Sequence, residues 1–201
     1  MAKWDEDLPP IMRERLAKIG DVTPEERARM KDTEQLESLL SQFYKGDLSA
    51  EGLWSRLKQY RDEGKGHLLR EAQLRLIDTI GSGSGAEELR ARKDAILAVE
   101  TLKESQNTPT LETLLNSIDG LQKRRKQELD QAYNSLKAQV DRNPQLRMQQ
   151  VRQGQSTMVV QLTVDEAVRI LPEWKNFVVN HDRQYAQEFA GVIESLKGAV
   201  K

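Results

Sequence analysis

Residues 108–143, TPTLETLLNSIDGLQKRRKQELDQAYNSLKAQVDRN, decide the fold. A Thr-Pro pair opens the stretch, with Thr108 able to cap and Pro109 pre-set for the first helical turn. Asn143-Pro144 closes it, because a residue before proline is pushed out of the α region. Nothing in between forbids one continuous helix. At about 1.5 Å per residue its roughly 33 residues reach about 50 Å. A compact sphere built from 201 residues would be little more than about 40 Å across. The pattern therefore predicts an elongated, helix-dominated molecule.

The apolar positions of the stretch are Leu111, Leu114, Ile118, Leu121, Leu129, Ala132, Leu136 and Val140. From Ile118 through Leu121 and Arg125 to Leu129 they step by three, four and four, an eleven-residue spacing rather than a strict heptad. Arg125 interrupts the stripe. Packing against several helices is thus expected in preference to a simple two-stranded coiled coil.

Outward from this helix, composition agrees. Charged residues make up 31% of the chain and aromatic residues 5%, as suits long amphipathic helices around a narrow aliphatic core. With no cysteine, disulfides, thiolate metal sites and cysteine nucleophiles are excluded. The first residues lack a secretory apolar region and no apolar run is long enough to span a bilayer, so a cytoplasmic location without membrane contact is expected. Net charge is −1, but residues 121–153 carry eight basic against three acidic side chains. Such a basic middle is a solvated face, matches acidic helices of the N-terminal half of the chain, or docks an acidic partner.

On the N-terminal side, Trp4 is an isolated apolar residue and Pro10–Gly20 reads as a short helix. Thr23-Pro24-Glu25-Glu26 is a strong helix start, and Lys45-Gly46-Asp47 a glycine stop. The helix between them has its apolar residues in its second half. Residues 24–62 form a helical hairpin, followed by a helix over 67–80. Gly81-Ser-Gly-Ser-Gly85 then reads as a linker. The expected organisation is an N-terminal helical region of residues 1–80, the 81–85 linker, and an elongated region of residues 86–201 built on the 110–142 helix. A helix over 86–105 opens that last region.

Beyond Pro144, residues 145–153 read as a further helical piece. TMVVQL, residues 157–162, is the one convincing strand, and it lacks an obvious partner. It pairs with residues 147–152, pairs with a second copy, or is not a strand. Thr163 and Glu166 make a capping box, and Pro172 opens a last helix to about Gly198. The fold class is all-α or nearly so: an elongated bundle of long antiparallel, coiled-coil-like helices with at most one short strand or hairpin near 147–162.

No motif nominates an enzyme, a cofactor or a metal. Gly81-x-Gly83-x-x-Ala86 has nominal dinucleotide-binding spacing but follows a helix instead of the strand such a turn requires. Tyr133-x-x-x-Lys137 matches an acid–base pair that works only beside a nicotinamide on a parallel sheet. His67 and His181 have no ligand-spaced partners, and His181 is read as a hydrogen-bonded core or interface histidine.

Two surfaces are left as candidates. One is the basic set Lys123, Arg124, Arg125, Lys126, Arg142, Arg147 and Arg152, for an acidic partner or nucleic acid. The other is the stripe Trp174, Phe177, His181, Tyr185 and Phe189 on the last helix, for assembly. The function expected is a non-enzymatic scaffold or adaptor working through protein–protein contact and self-association, most simply as a dimer. The alternative is a nucleic-acid-binding protein using segment 123–152.

Overall fold

A computed structural model describes residues 23–153 and 156–200. The sequence readings for Trp4 and Pro10–Gly20 lie outside the described residues. The fold is all-α apart from one hairpin. Its elements are α1 (Pro24–Lys45), α2 (Ala50–Asp62), α3 (His67–Asp78), α4 (Ala86–Glu100), α5 (Thr108–Arg142), a 3-10 turn (Pro144–Arg147), β1 (Met148–Gln153), β2 (Ser156–Gln161), α6 (Val164–Ile170) and α7 (Pro172–Ala199).

Local chemistry explains the helix ends. Thr23 accepts the Glu26 N–H on its side chain, while the Glu26 carboxylate accepts the Thr23 N–H at 2.8 Å, satisfying two donors that a helix start leaves unpaired. Gly46 adopts φ 81°, a left-handed stop that most side chains resist. Ser49 caps α2 through the Gly52 N–H. Thr163 and Glu166 cap α6 reciprocally.

α4 is shorter than its sequence pattern suggests, ending at Glu100 instead of residue 105. The N-cap of α5 is Asn107, one residue before the expected Thr108. Both differences have one cause. The buried Glu100 carboxylate accepts the Asn107 backbone N–H at 2.6 Å, pinning Asn107 outside the helix so that the chain turns in between.

The segment after Pro144 also departs from the helical expectation. Helical geometry survives there for one 3-10 turn, and residues 148–153 then extend as β1, paired antiparallel with β2 from Met148 opposite Gln161 to Gln153 opposite Ser156. The β-branched run has found its partner immediately upstream.

The main core joins Leu36, Leu40 and Phe43 of α1 to Leu53 and Leu57 of α2, Leu68 and Leu76 of α3, and Leu89 and Ile96 of α4. Leu111, Leu115 and Ile118 of α5, and Tyr185, Phe189 and Leu196 of α7, complete it. Residues from both sides of the Gly81–Gly85 stretch share this core. Each buried leucine contributes about 2 kcal/mol. The first half of α1 is exposed, as its sparse apolar pattern suggests.

A second, smaller cluster forms around Val140 of α5 and Ala167 and Val168 of α6, with Leu136, Leu146 and Trp174 packed against it. The 35 residues of α5, about 52 Å of helix, run from one cluster to the other. α7 lies antiparallel beside it, since Asn107 meets Ala199, Arg125 meets Asp182 and Tyr133 meets Trp174.

Candidate functional site

Between the two clusters, α5 and α7 face each other through polar groups. The i, i+4 spacing of Arg124 and Glu128 on α5, and of Gln184 and Glu188 on α7, turns these side chains toward the same cleft. Arg124 pairs with Glu188, and Arg125 donates to Asp182 Oδ1 at 2.8 Å. The Arg125 guanidinium also sits 5.1 Å from the centre of the Tyr185 ring, so the arginine in the apolar stripe is held by a carboxylate and an aromatic face together. Glu188 is held below the usual carboxylate range by its hydrogen bond from Gln184 and then by Arg124. Burial pushes the Tyr185 hydroxyl up, against a smaller opposing effect of Arg125.

His181 has 10% of its side chain exposed and places Nε2 2.7 Å from Glu128 Oε2. Its Nδ1 is buried without a hydrogen-bond partner. The ring stacks on Phe177 at 5.3 Å, Phe177 stacks on Trp174 at 6.1 Å, and Trp174 meets Tyr133 edge-on at 5.2 Å. With Tyr185 and Phe189, 6.0 Å apart, the stripe proposed for assembly forms a ladder of rings along the face that α7 turns to α5.

The seven basic candidates do not converge. Arg124 and Arg125 point into the seam, and Arg147 donates to the Leu162 carbonyl at 2.8 Å beside the hairpin. Lys123, Lys126, Arg142 and Arg152 are exposed. Among the described residues, the acids that meet Arg124, Arg125 and Lys137 of the basic middle lie on α7, α6 and α5 itself, whereas the charge pattern points to the acidic N-terminal half.

The motif resemblances resolve into structural contacts. Tyr133 Oη and Lys137 Nζ both meet Asp165 Oδ1, at 2.9 and 3.0 Å, and so tie α6 to α5. Lys137, then Tyr133, holds the Asp165 carboxyl below its ordinary range. The Gly-Ser stretch is a turn between helices: Tyr185 donates to the Ser82 carbonyl and Gln122 to that of Ser84. Among the described residues, no group of three or more His, Cys, Asp and Glu side chains could hold a metal ion, and no helix is long and apolar enough to cross a membrane.

The sequence did not single out a buried polar junction between the α3–α4 pair and α5. Gln73, with no exposed surface, donates from Nε2 to the Ile96 carbonyl at 3.0 Å and to Glu100 Oε2 at 2.8 Å. The available signal was spacing: Glu100 lies four residues from Ile96 and Gln73 four from Leu69, so both fall on apolar helix faces.

The hairpin projects a different chemistry. Met148, Met158, Val159 and Val160 are 56%, 52%, 57% and 41% exposed. β1 and β2 form a two-stranded sheet, with the β1 end meeting the 3-10 turn.

Fold and surfaces together define an all-α protein in which a long antiparallel helix pair carries a β-hairpin. The chain belongs to the family of unknown function DUF6657, whose model matches residues 54–198 and so takes in the helix pair, the seam and the hairpin. No curated protein and no solved structure matches it.

Proposed function

We propose that this chain is a non-enzymatic scaffold or adaptor that acts by protein–protein contact and self-associates as a dimer. The exposed hairpin carries this reading. Two strands alone are marginally stable in water, and this pair shows four large apolar side chains to solvent while its strands carry a single charge, Arg152. A partner that covered those side chains would stabilise both itself and the hairpin. The proposal includes a rod-like outline, supported by the length of α5, and a cytoplasmic setting, supported by the lack of cysteine.

Nucleic-acid binding through residues 123–152 is the competing reading. It is weakened by the seam, where a phosphate would have to displace Glu188 and Asp182 from Arg124 and Arg125. Light scattering over a concentration series up to about 100 µM distinguishes the outcomes for self-association: a mass rising toward twice the 23.0 kDa chain mass supports the dimer, and the chain mass alone throughout refutes it. In low-salt fluorescence polarisation, labelled DNA and RNA should show no shift. Binding that weakens with salt, and weakens again when Lys123 to Lys126 become alanine, would reinstate the nucleic-acid reading.

A further inference from the structure

The hydrogen-bond phase of the hairpin identifies the groups that its outer edge, unpaired among the described residues, offers. Leu162 donates its N–H to the Arg147 carbonyl at 2.8 Å, one step beyond the Met148–Gln161 pair. In an antiparallel ladder, pairs that exchange hydrogen bonds alternate with pairs that do not. Val160 and Met158 therefore turn their backbone N–H and C=O toward β1. Thr157, Val159 and Gln161 turn theirs away from it.

This outer edge of β2 lacks the features by which sheet edges are usually protected. The strand STMVVQ contains no charge and no proline, and its register with β1 runs without a bulge. Its chemistry also reads alike in both directions about Val159: Met158 and Val160 are apolar neighbours, and Thr157 and Gln161 are polar flanks. A two-fold axis at Val159 would set Val159 against its own copy, Met158 against Val160, and Thr157 against Gln161. The three outward-facing residues then occupy exchanging positions, giving about six backbone hydrogen bonds across the axis.

β1 is a poorer match to itself. The same phase leaves Met148, Gln150 and Arg152 facing outward, and an axis at Gln150 would set Met148 against a charged arginine.

We propose that a second copy of this chain docks on the outer edge of β2, joining two hairpins into a four-stranded antiparallel sheet about Val159. This rests on the self-association reading and names its surface. The contact is small for a stable interface, so the association falls in the micromolar range.

Val159→Pro is the sharpest test. Proline removes an N–H that points away from β1, so the bonds within the hairpin stay while the edge loses its central donor. Val159→Lys is the second variant, because it opposes two ammonium groups at the axis. Sedimentation equilibrium up to about 100 µM, with far-ultraviolet circular dichroism as a check on folding, should show a dimeric wild type. Val159→Pro should be monomeric with unchanged helix content. Val159→Lys should be at least about tenfold weaker at low salt and recover in part as salt is raised. A wild-type dimer unaffected by either change would overturn the β2 edge while leaving self-association standing. A wild type that is monomeric throughout would overturn both.

Discussion

Glu100→Gln replaces one carboxylate oxygen by an amide nitrogen at the junction between α4 and α5, and so reverses part of the donor–acceptor match there. Glu100 is 1% exposed. Its Oε1 accepts the Asn107 N–H at 2.6 Å, and its Oε2 accepts Gln73 Nε2 at 2.8 Å and Lys103 Nζ at 3.1 Å. A glutamine amide must direct its NH2 at one of these donors. If it faces Asn107, two N–H groups oppose each other. If it faces Gln73, that side chain can answer only by flipping, which would turn its oxygen onto the Ile96 carbonyl that its nitrogen now satisfies. In the first case a buried N–H is left unpaired, at about 1–3 kcal/mol. In the second, Gln73 Oε1, buried without a partner in the wild type, gains a donor while Gln73 Nε2 loses both its acceptors. In either case the interaction with Lys103 loses its charge. The expected loss is about 2–4 kcal/mol, or a fall in Tm of about 5–15 °C for a chain of this size.

Urea denaturation followed by circular dichroism reads this as a lower midpoint at unchanged slope. The pH dependence supplies a second readout. Burial raises the Glu100 pKa, but the hydrogen bonds from Gln73, the Asn107 N–H and Lys103 outweigh it and hold the folded value below the ordinary 4.5. As pH falls, the unfolded chain therefore binds the proton first. The carboxylate's contribution is complete above 4.5 and is lost as pH drops through the folded value. The gap between wild type and Glu100→Gln should narrow over that acidic window. A loss below about 0.5 kcal/mol at neutral pH, with no narrowing in acid, would refute the assignment of this carboxylate as the clamp.

Three other substitutions test separate parts of the molecule. Gly120 and Gly191 lie inside α5 and α7, and an added Cβ at either would meet nothing within 4 Å, so Gly120→Ala and Gly191→Ala should each raise stability by about 0.5–1 kcal/mol in thermal melts. Destabilisation by either change would mean that the helix is not open on that side. Asp165→Asn weakens the anchor formed with Tyr133 and Lys137, so amide exchange in α6 should accelerate at neutral pH. Because the Asp165 pKa lies below its ordinary value of 3.8, the wild type should lose the same protection only as acid takes the pH through the folded value.

The helix boundaries that depend on neighbours in sequence were legible before any packing was known. Thr23 to Glu26, Gly46, Thr163 to Glu166 and Asn143-Pro144 act within one turn, so their spacing alone predicts the cap or stop. Asn107 was not legible, because its cap position depends on a carboxylate seven residues upstream that is oriented by Gln73 from another helix. β1 stays open between a helical piece and a hairpin strand for a related reason: MQQVRQ has little preference of its own and becomes a strand by pairing with β2. Among the candidate site residues, the stripe on α7 was visible as a pattern. Sequence could not show that it faces α5, or that Arg125 would be met by Asp182 and Tyr185, since those contacts span more than fifty residues.

The seam between α5 and α7 couples the two apolar clusters through contacts that respond differently to salt. The ion pairs of Arg124 and Arg125 are partly exposed and are screened as salt rises, whereas the ring ladder from Tyr133 to His181 is not. Raising the ionic strength should therefore lower the opening free energy of the cluster around Val140, read as amide exchange in α6, by no more than the roughly 1 kcal/mol that such exposed pairs contribute, while the rings keep it joined to the main core.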